Sequence, residues 1–115
     1  MDHPMTVKPI SDHVEIFWRG RKILDTTRAL ELKEASYPAV IYAPRADADM
    51  SFFQRSALET RCPFKGTANY FSLSHEAERD SDAVWTYETP KAGVEAIKEH
   101  LAFYPNKVEI KRTPA

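Results

Sequence analysis

The residues best equipped for chemistry lie in one short run, Arg61-Cys62-Pro63-Phe64-Lys65-Gly66-Thr67, which holds the only cysteine of the chain. A thiol becomes a nucleophile or redox centre when it is reachable and partly ionised, and nearby positive charge favours that ionisation. Arg61 and Lys65 supply such charge, which makes Cys62 the candidate catalytic residue. A thiol nucleophile also wants a positioned base. His3, His13, His75 and His100 all lie far from it in sequence, and none forms a recognisable Cys-His signature. The competing role for Cys62 is that of a small apolar residue in the core.

Lys65-Gly66-Thr67 has the residue types of a phosphate loop in the wrong order. Such a loop needs GxxxxGK[ST] to wrap backbone N–H groups around the anion, and no glycine precedes Gly20. Lys65 instead offers a point charge to an anionic or carbonyl-bearing ligand. The alternative is a lysine stem lying on Phe64 with its head in water. Arg28 and Arg45 offer further guanidinium groups; the structural partners expected from sequence are Asp25 or Glu31 for Arg28, and Asp47 and Asp49 within the same loop for Arg45. Asp47 with Asp49 supplies too few oxygens for a magnesium or calcium site. His75-Glu76 is not a zinc-protease motif, and no CxxC pair is present for structural zinc. No metal or cofactor is expected.

Aromatic residues complete the candidate set. Tyr70 and Phe71 alternate on one segment, as do Trp85 and Tyr87 with their neighbours, so Trp85 and Tyr87 share a face while Tyr70 and Phe71 oppose each other. Sheets lined by Tyr and Trp make clefts with apolar walls and polar tips. Tyr42, Tyr70, Trp85 and Tyr87 are the expected walls, and Phe71 belongs to the core.

Strands must position these groups. Val14, Ile16 and Trp18 alternate with polar residues, and Arg19-Gly20-Arg21 turns the chain, so 13–27 reads as a hairpin. Residues 28–34 are ambiguous: Leu30 and Leu32 alternate with Glu31 and Lys33, which favours a strand, although every residue there is also a good helix former. Tyr37–Tyr42 reads as a further strand that tolerates Pro38 near its start. The segment 44–49 reads as a turn, and 51–58 as a short helical turn with Phe52 and Phe53 inward. Thr67–Leu73 and Ala83–Thr89 read as strands joined by a solvated loop over 75–82. Thr89-Pro90 is a helix start, and Val94, Ile97, Leu101 and Tyr104 keep helical spacing, which predicts one C-terminal α-helix around 90–104. Val108 and Ile110 suggest a closing strand.

The run Cys62-Pro63-Phe64-Lys65-Gly66, with Tyr37-Pro38-Ala39-Val40-Ile41-Tyr42-Ala43-Pro44-Arg45 upstream and His100-Leu101-Ala102-Phe103-Tyr104-Pro105 downstream, resembles the domain of unknown function 427 family. Its members are small bacterial proteins, some of which carry a nucleotidyltransferase label. The resemblance implies a mainly β (α+β) fold of coiled antiparallel sheets similar to the Mss4-like β-tent. It also marks Arg28, Tyr42 and Arg45 as recurrent positions. Members more often have Tyr at the position of Phe64 and Trp at that of Phe71, so ligand contacts by those polar groups do not transfer.

At 115 residues the chain reads as a single domain over 1–115. A formal net charge of -1, with Lys and Arg dispersed, argues against a nucleic-acid partner. The apolar runs are too short to span a bilayer. The start, Met1-Asp2-His3-Pro4-Met5, has no leader character. One cysteine fits a reducing cytoplasm. The expectation is a cytoplasmic β domain that binds a small polar or anionic molecule near Cys62–Tyr70, through Arg28, Tyr42, Arg45, Lys65, Gly66, Tyr70, Trp85 and Tyr87. The rival readings are an enzyme built on Cys62 and a protein-interaction module. Sequence alone leaves the oligomeric state open.

Overall fold

A computed structural model describes residues 4–115, so readings that rest on Met1, Asp2 and His3 lie outside the described residues. The chain is mainly β. The strands are β1 (Met5–Pro9), β2 (His13–Trp18), β3 (Arg21–Thr26), β4 (Leu30–Glu34), β5 (Val40–Pro44), β6 (Phe53–Cys62), β7 (Gly66–His75), β8 (Glu78–Tyr87), β9 (His100–Phe103) and β10 (Glu109–Thr113). They form a seven-stranded antiparallel sheet in the order β1-β4-β5-β9-β8-β7-β6 and a three-stranded one in the order β10-β2-β3.

Side-chain alternation divides the interior into two cores. Val14, Ile16 and Trp18 of β2 and Ile23 and Leu24 of β3 pack against Ala43, Phe71, Leu73, Val84, Leu101 and Phe103 of the large sheet. The alternate positions Leu32, Tyr42, Tyr70, Tyr87 and Ala102 point to the opposite face, where Val94 and Ile97 join them. Each strand from β4 to β9 therefore serves both cores or their margins, as the period of two requires.

The large sheet is strongly curled. Glu34 ends β4 and Lys65 precedes β7, with β5, β9 and β8 between those strands. In a flat sheet, four strand spacings would separate them by about 19 Å, further than the two side chains reach together. Yet Lys65 Nζ lies 2.6 Å from Glu34 Oε1. The second core and the cleft described below lie on the concave face of this curl.

The expected C-terminal α-helix does not form. Residues 90–104 hold a loop, one 3-10 turn at Glu95–Ile97, and β9. Gly93 at φ +98° and Glu99 at φ +56° interrupt helical backbone. Leu101 and Phe103 face one core while Ala102 faces the other, so the working period is two. Pairing with β5 and β8 overrides the helix propensity of this segment. The solvated loop expected over 75–82 is instead a tight turn, with Glu76 at φ +55°, and the charged start of β8. The helical turn expected over 51–58 is confined to Met50–Phe52, after which β6 begins. β6 runs along a sheet edge, so its polar side chains lack the apolar alternation that marks a half-buried strand.

The charges of β8 tie the two sheets together. Fully buried Trp18 donates its indole N–H to Asp80 Oδ2 at 2.8 Å, and Arg19 and Arg21 reach Glu78 at 3.2 and 3.0 Å. The Trp18 hydrogen bond, followed by the Arg19 guanidinium, holds the Asp80 carboxyl below its usual value. A depressed carboxyl stabilises the fold fully above about pH 4, its unfolded value, and loses that contribution as pH falls through the folded one. Asp80→Ala is expected to lower unfolding free energy at pH 7 by about 2 kcal/mol, because a charge-assisted partner of a buried donor disappears. The variant should also show a shallower acid-side fall in stability, read by urea denaturation across pH. Matching urea midpoints for variant and wild type at pH 7 would remove this role.

Candidate functional site

The concave face holds a cleft of about 270 Å³ lined by Leu32, Glu34, Tyr37, Pro38, Val40, Tyr42, Lys65, Tyr70, Trp85, Tyr87 and Tyr104. Five of the residues expected from sequence meet here: Tyr42 from β5, Lys65 from the β6–β7 turn, Tyr70 from β7, and Trp85 and Tyr87 from β8. Trp85 lies directly opposite Tyr70 on β7 and Ala102 on β9. Ala102 is small, and Trp85 Nε1 donates to Tyr42 Oη at 3.2 Å from the far side of β9.

Lys65 is the charged centre of the cleft. Its side chain is 11% exposed and that of Glu34 19%, so their 2.6 Å pair is well shielded. The expectation of a lysine head in water does not hold. Inverse to that expectation, Phe64 is 42% exposed while Lys65 turns inward. Glu34 was missed in the sequence, although it shares strand parity with Leu30 and Leu32 and so had to face inward with them. Tyr37 and Tyr104, 63% and 39% exposed, form the rim. Tyr104, expected on a helix face, instead lays its ring 4.7 Å from that of Trp85.

Three of the cleft phenols hold their protons well above neutral pH. Burial pushes Tyr42 up to about 12, and burial together with the Tyr70 hydroxyl pushes Tyr104 up to about 12. Burial raises Tyr87 further. Tyr70 shares a 2.9 Å hydrogen bond with Thr60 Oγ1. Tyr87 is 5% exposed, and its hydroxyl has no hydrogen-bond partner among the described residues. It is a free donor on the cleft wall. A raised phenol favours the protonated fold, so this contribution holds below the ordinary value near 10 and is lost as pH rises past it. Phenolate absorbance is therefore expected to lag behind that of a denatured control between about pH 10 and 11. Coincident curves would show the cleft phenols to be solvated.

Gly66 shapes the site without lining it. Its φ of +116° is a conformation other residues rarely adopt, and a Cβ there would meet Thr89 O at 3.3 Å. Thus the 89–91 segment can close on the turn, where Lys91 N donates to Lys65 O at 2.9 Å. Gly66→Ala is expected to cost about 1–3 kcal/mol, seen as a lower thermal midpoint. An unchanged midpoint would show the turn to be adaptable.

Three expected residues lie elsewhere. Cys62 pairs with Gly66 at the end of β6, is half-buried, and packs against the second core behind the cleft wall. The described histidines are engaged at a distance from it: His13 with Asp25, His75 with Glu76, and His100 with Lys98 O. Arg28 is exposed and binds Asp47 at 2.9 Å, which also accepts from Thr26. Neither of the partners expected from sequence, Asp25 or Glu31, holds it. Arg45 lies over the Phe71 ring, 5.3 Å from its centre, on the other face of the sheet. Its nearest carboxylate is Glu88 at 3.5 Å, which Arg55 holds at 2.7 Å. Arg45 opens the 3-10 turn Arg45–Asp47 that follows β5, so that turn, and not the alternation that places Tyr42, sets its direction.

His13, Glu15 and Asp25 bring possible metal ligands within 4.8 Å of one another. Lys22 Nζ already bridges both carboxylates, at 3.2 Å to Glu15 and 2.9 Å to Asp25. The ammonium fills the role a cation would take. Asp49 caps the Met50–Phe52 turn by accepting from Ser51 N.

These features define a small, mainly β protein with a tyrosine-walled cleft on the concave face of a curled sheet. The chain belongs to the family described as domain of unknown function (DUF427), whose model matches residues 6–113. No curated protein matches the chain.

Proposed function

We propose that the protein binds a small polar molecule in the tyrosine-walled cleft, with Lys65, Glu34 and the Tyr87 hydroxyl as its polar contacts. The observation that carries this reading is the convergence of Tyr42, Lys65, Tyr70, Trp85 and Tyr87 on one cleft. Pockets of this kind combine apolar and aromatic walls with a few placed polar groups. Lys65, paired with Glu34 at 2.6 Å, offers its ammonium to a polar or anionic group of the ligand. Binding is favoured over catalysis by Cys62, since the thiol sits behind the wall rather than on it. The two antiparallel sheets, one strongly curled, support a β-tent of the Mss4-like kind. A lone cysteine suits a cytoplasmic setting.

Thermal-shift screening of small polar compounds tests the reading. A ligand at a hundred times its dissociation constant adds about 2.7 kcal/mol of stability, a readily measured rise in midpoint. The rise is expected to vanish in Lys65→Met and shrink in Tyr87→Phe, and to persist in Cys62→Ala. A hit that needs Cys62 and ignores Lys65 would move the site, and the activity, to the thiol.

A further inference from the structure

The side chains that line the cleft bring more hydrogen-bond donors to it than acceptors. Glu34 is the one carboxylate among the described lining residues, against five phenols, an indole and the Lys65 ammonium. Two of the phenols carry protons with no acceptor among the described residues. Tyr42 is 1% exposed; its Oη accepts the Trp85 indole N–H at 3.2 Å, and nothing described accepts in turn from Tyr42. Tyr87 is 5% exposed and its hydroxyl makes no hydrogen bond to a described residue. A buried polar group left so is costly, and in a native structure it points to something that joins it. Lys65 gives one N–H to Glu34 and, as a tetrahedral ammonium, turns its remaining N–H bonds away from that carboxylate. These donors share one region. The Glu34 charge contributes to raising both Tyr42 and Tyr87, and Tyr42 acts on Tyr87 in the same sense.

Resting on the binding function proposed above, we propose that the ligand is a monocarboxylate with an apolar body about the size of one ring. Its carboxylate is held by Lys65 and the Tyr42 and Tyr87 hydroxyls, and its body lies against Leu32, Val40 and Trp85. A carboxylate accepts through about four lone-pair sites and donates nothing, which suits two phenol protons beside the remaining ammonium protons. An amide or alcohol brings further donors to a wall already short of acceptors. A phosphate dianion carries more charge than one ammonium offsets, and no arginine is among the described lining residues to receive it. Glu34 acts through the ammonium it orients. The body follows from the walls and the space. A dry cavity of about 150 Å³ holds benzene, so a cleft of about 270 Å³ accommodates a ring with its head group.

Titration calorimetry with benzoate, benzamide, benzamidine and phenylphosphonate tests the head group, and acetate tests the body. Benzoate is expected to bind about tenfold or more tighter than each of the others, the effect of one hydrogen bond to a charged group. Lys65→Met should abolish its binding. Tyr87→Phe removes a hydroxyl that is unpaired without ligand, so it should keep the wild-type thermal midpoint yet weaken benzoate by about tenfold or more. A lower midpoint for Tyr87→Phe would show that hydroxyl to be already partnered and overturn the donor count. Benzamide as tight as benzoate, or benzoate affinity unchanged in Tyr87→Phe, would overturn the carboxylate. Phenylphosphonate tighter than benzoate would replace the monoanion with a dianion, and acetate as tight as benzoate would overturn the body. If benzoate fails while other small polar compounds still raise the midpoint in a Lys65-dependent way, the inference falls alone; if no compound raises it, the cleft reading falls as well.

Discussion

The contact between Lys65 and Glu34 depends on the curvature of the large sheet and marks its extent. Two shielded charges from the second and sixth strands in the sheet order meet at 2.6 Å. Removing Glu34 would leave Lys65 as an uncompensated charge in a shielded site, a costly state. The pair therefore favours the curled sheet over flatter alternatives in which the ends of β4 and β7 stand apart. Cleft volume, the inward turn of Lys65 and the crowding of the tyrosines all follow from that curvature. Gly66 supports it from behind by admitting the 89–91 segment against the turn.

Alternation gives each strand two separate tasks. On β7, Tyr70 enters the cleft while Phe71 lies in the core between the sheets, under Arg45 and Arg55. On β8, Trp85 and Tyr87 face the cleft and Val84 faces the other way. A one-residue slip of either strand would exchange these faces and destroy cleft and core together. The irregularities between Phe71 and Leu73 and between Arg55 and Glu59 are local. Ser72 and Ser56 satisfy polar groups there: Ser72 Oγ accepts from Asp82 N at 3.1 Å, and Ser56 Oγ accepts from Leu58 N at 3.1 Å.

Much of this arrangement was legible from residue parity. The β2–β3 hairpin, the strand character of 30–34, the opposed faces of Tyr70 and Phe71, and the shared face of Trp85 and Tyr87 all follow from a period of two. The 90–104 segment was misread because Val94, Ile97, Leu101 and Tyr104 keep helical spacing while the chain is also needed as the short strand between β5 and β8. Local preference carries no information about that vacancy. β6 was hidden for a different reason. A strand hydrogen-bonded on one side and solvated along most of its length needs no apolar stripe, so nothing in Gln54–Arg61 announces it. Parity alone places Glu34 inward, whereas residue type singles out Arg28 and Arg45 without their positions, which depend on loop geometry.

The placement of β10 has a consequence for the order in which the fold is completed. β10 pairs with β2, Glu109 with Phe17 and Thr113 with His13, while Arg112 also reaches Asp12 at 3.0 Å and Glu31 at 3.2 Å. The small sheet thus closes through chain segments that are almost as distant in sequence as the described residues allow. Its β2–β3 hairpin can form locally, but its outer edge waits for the last strand to be synthesised. Closing so large a loop is entropically expensive before any contact rewards it, and topologies dominated by such pairings fold in milliseconds to seconds rather than microseconds. Until β10 arrives, β2 presents an unpaired edge, the state most open to pairing with the wrong strand.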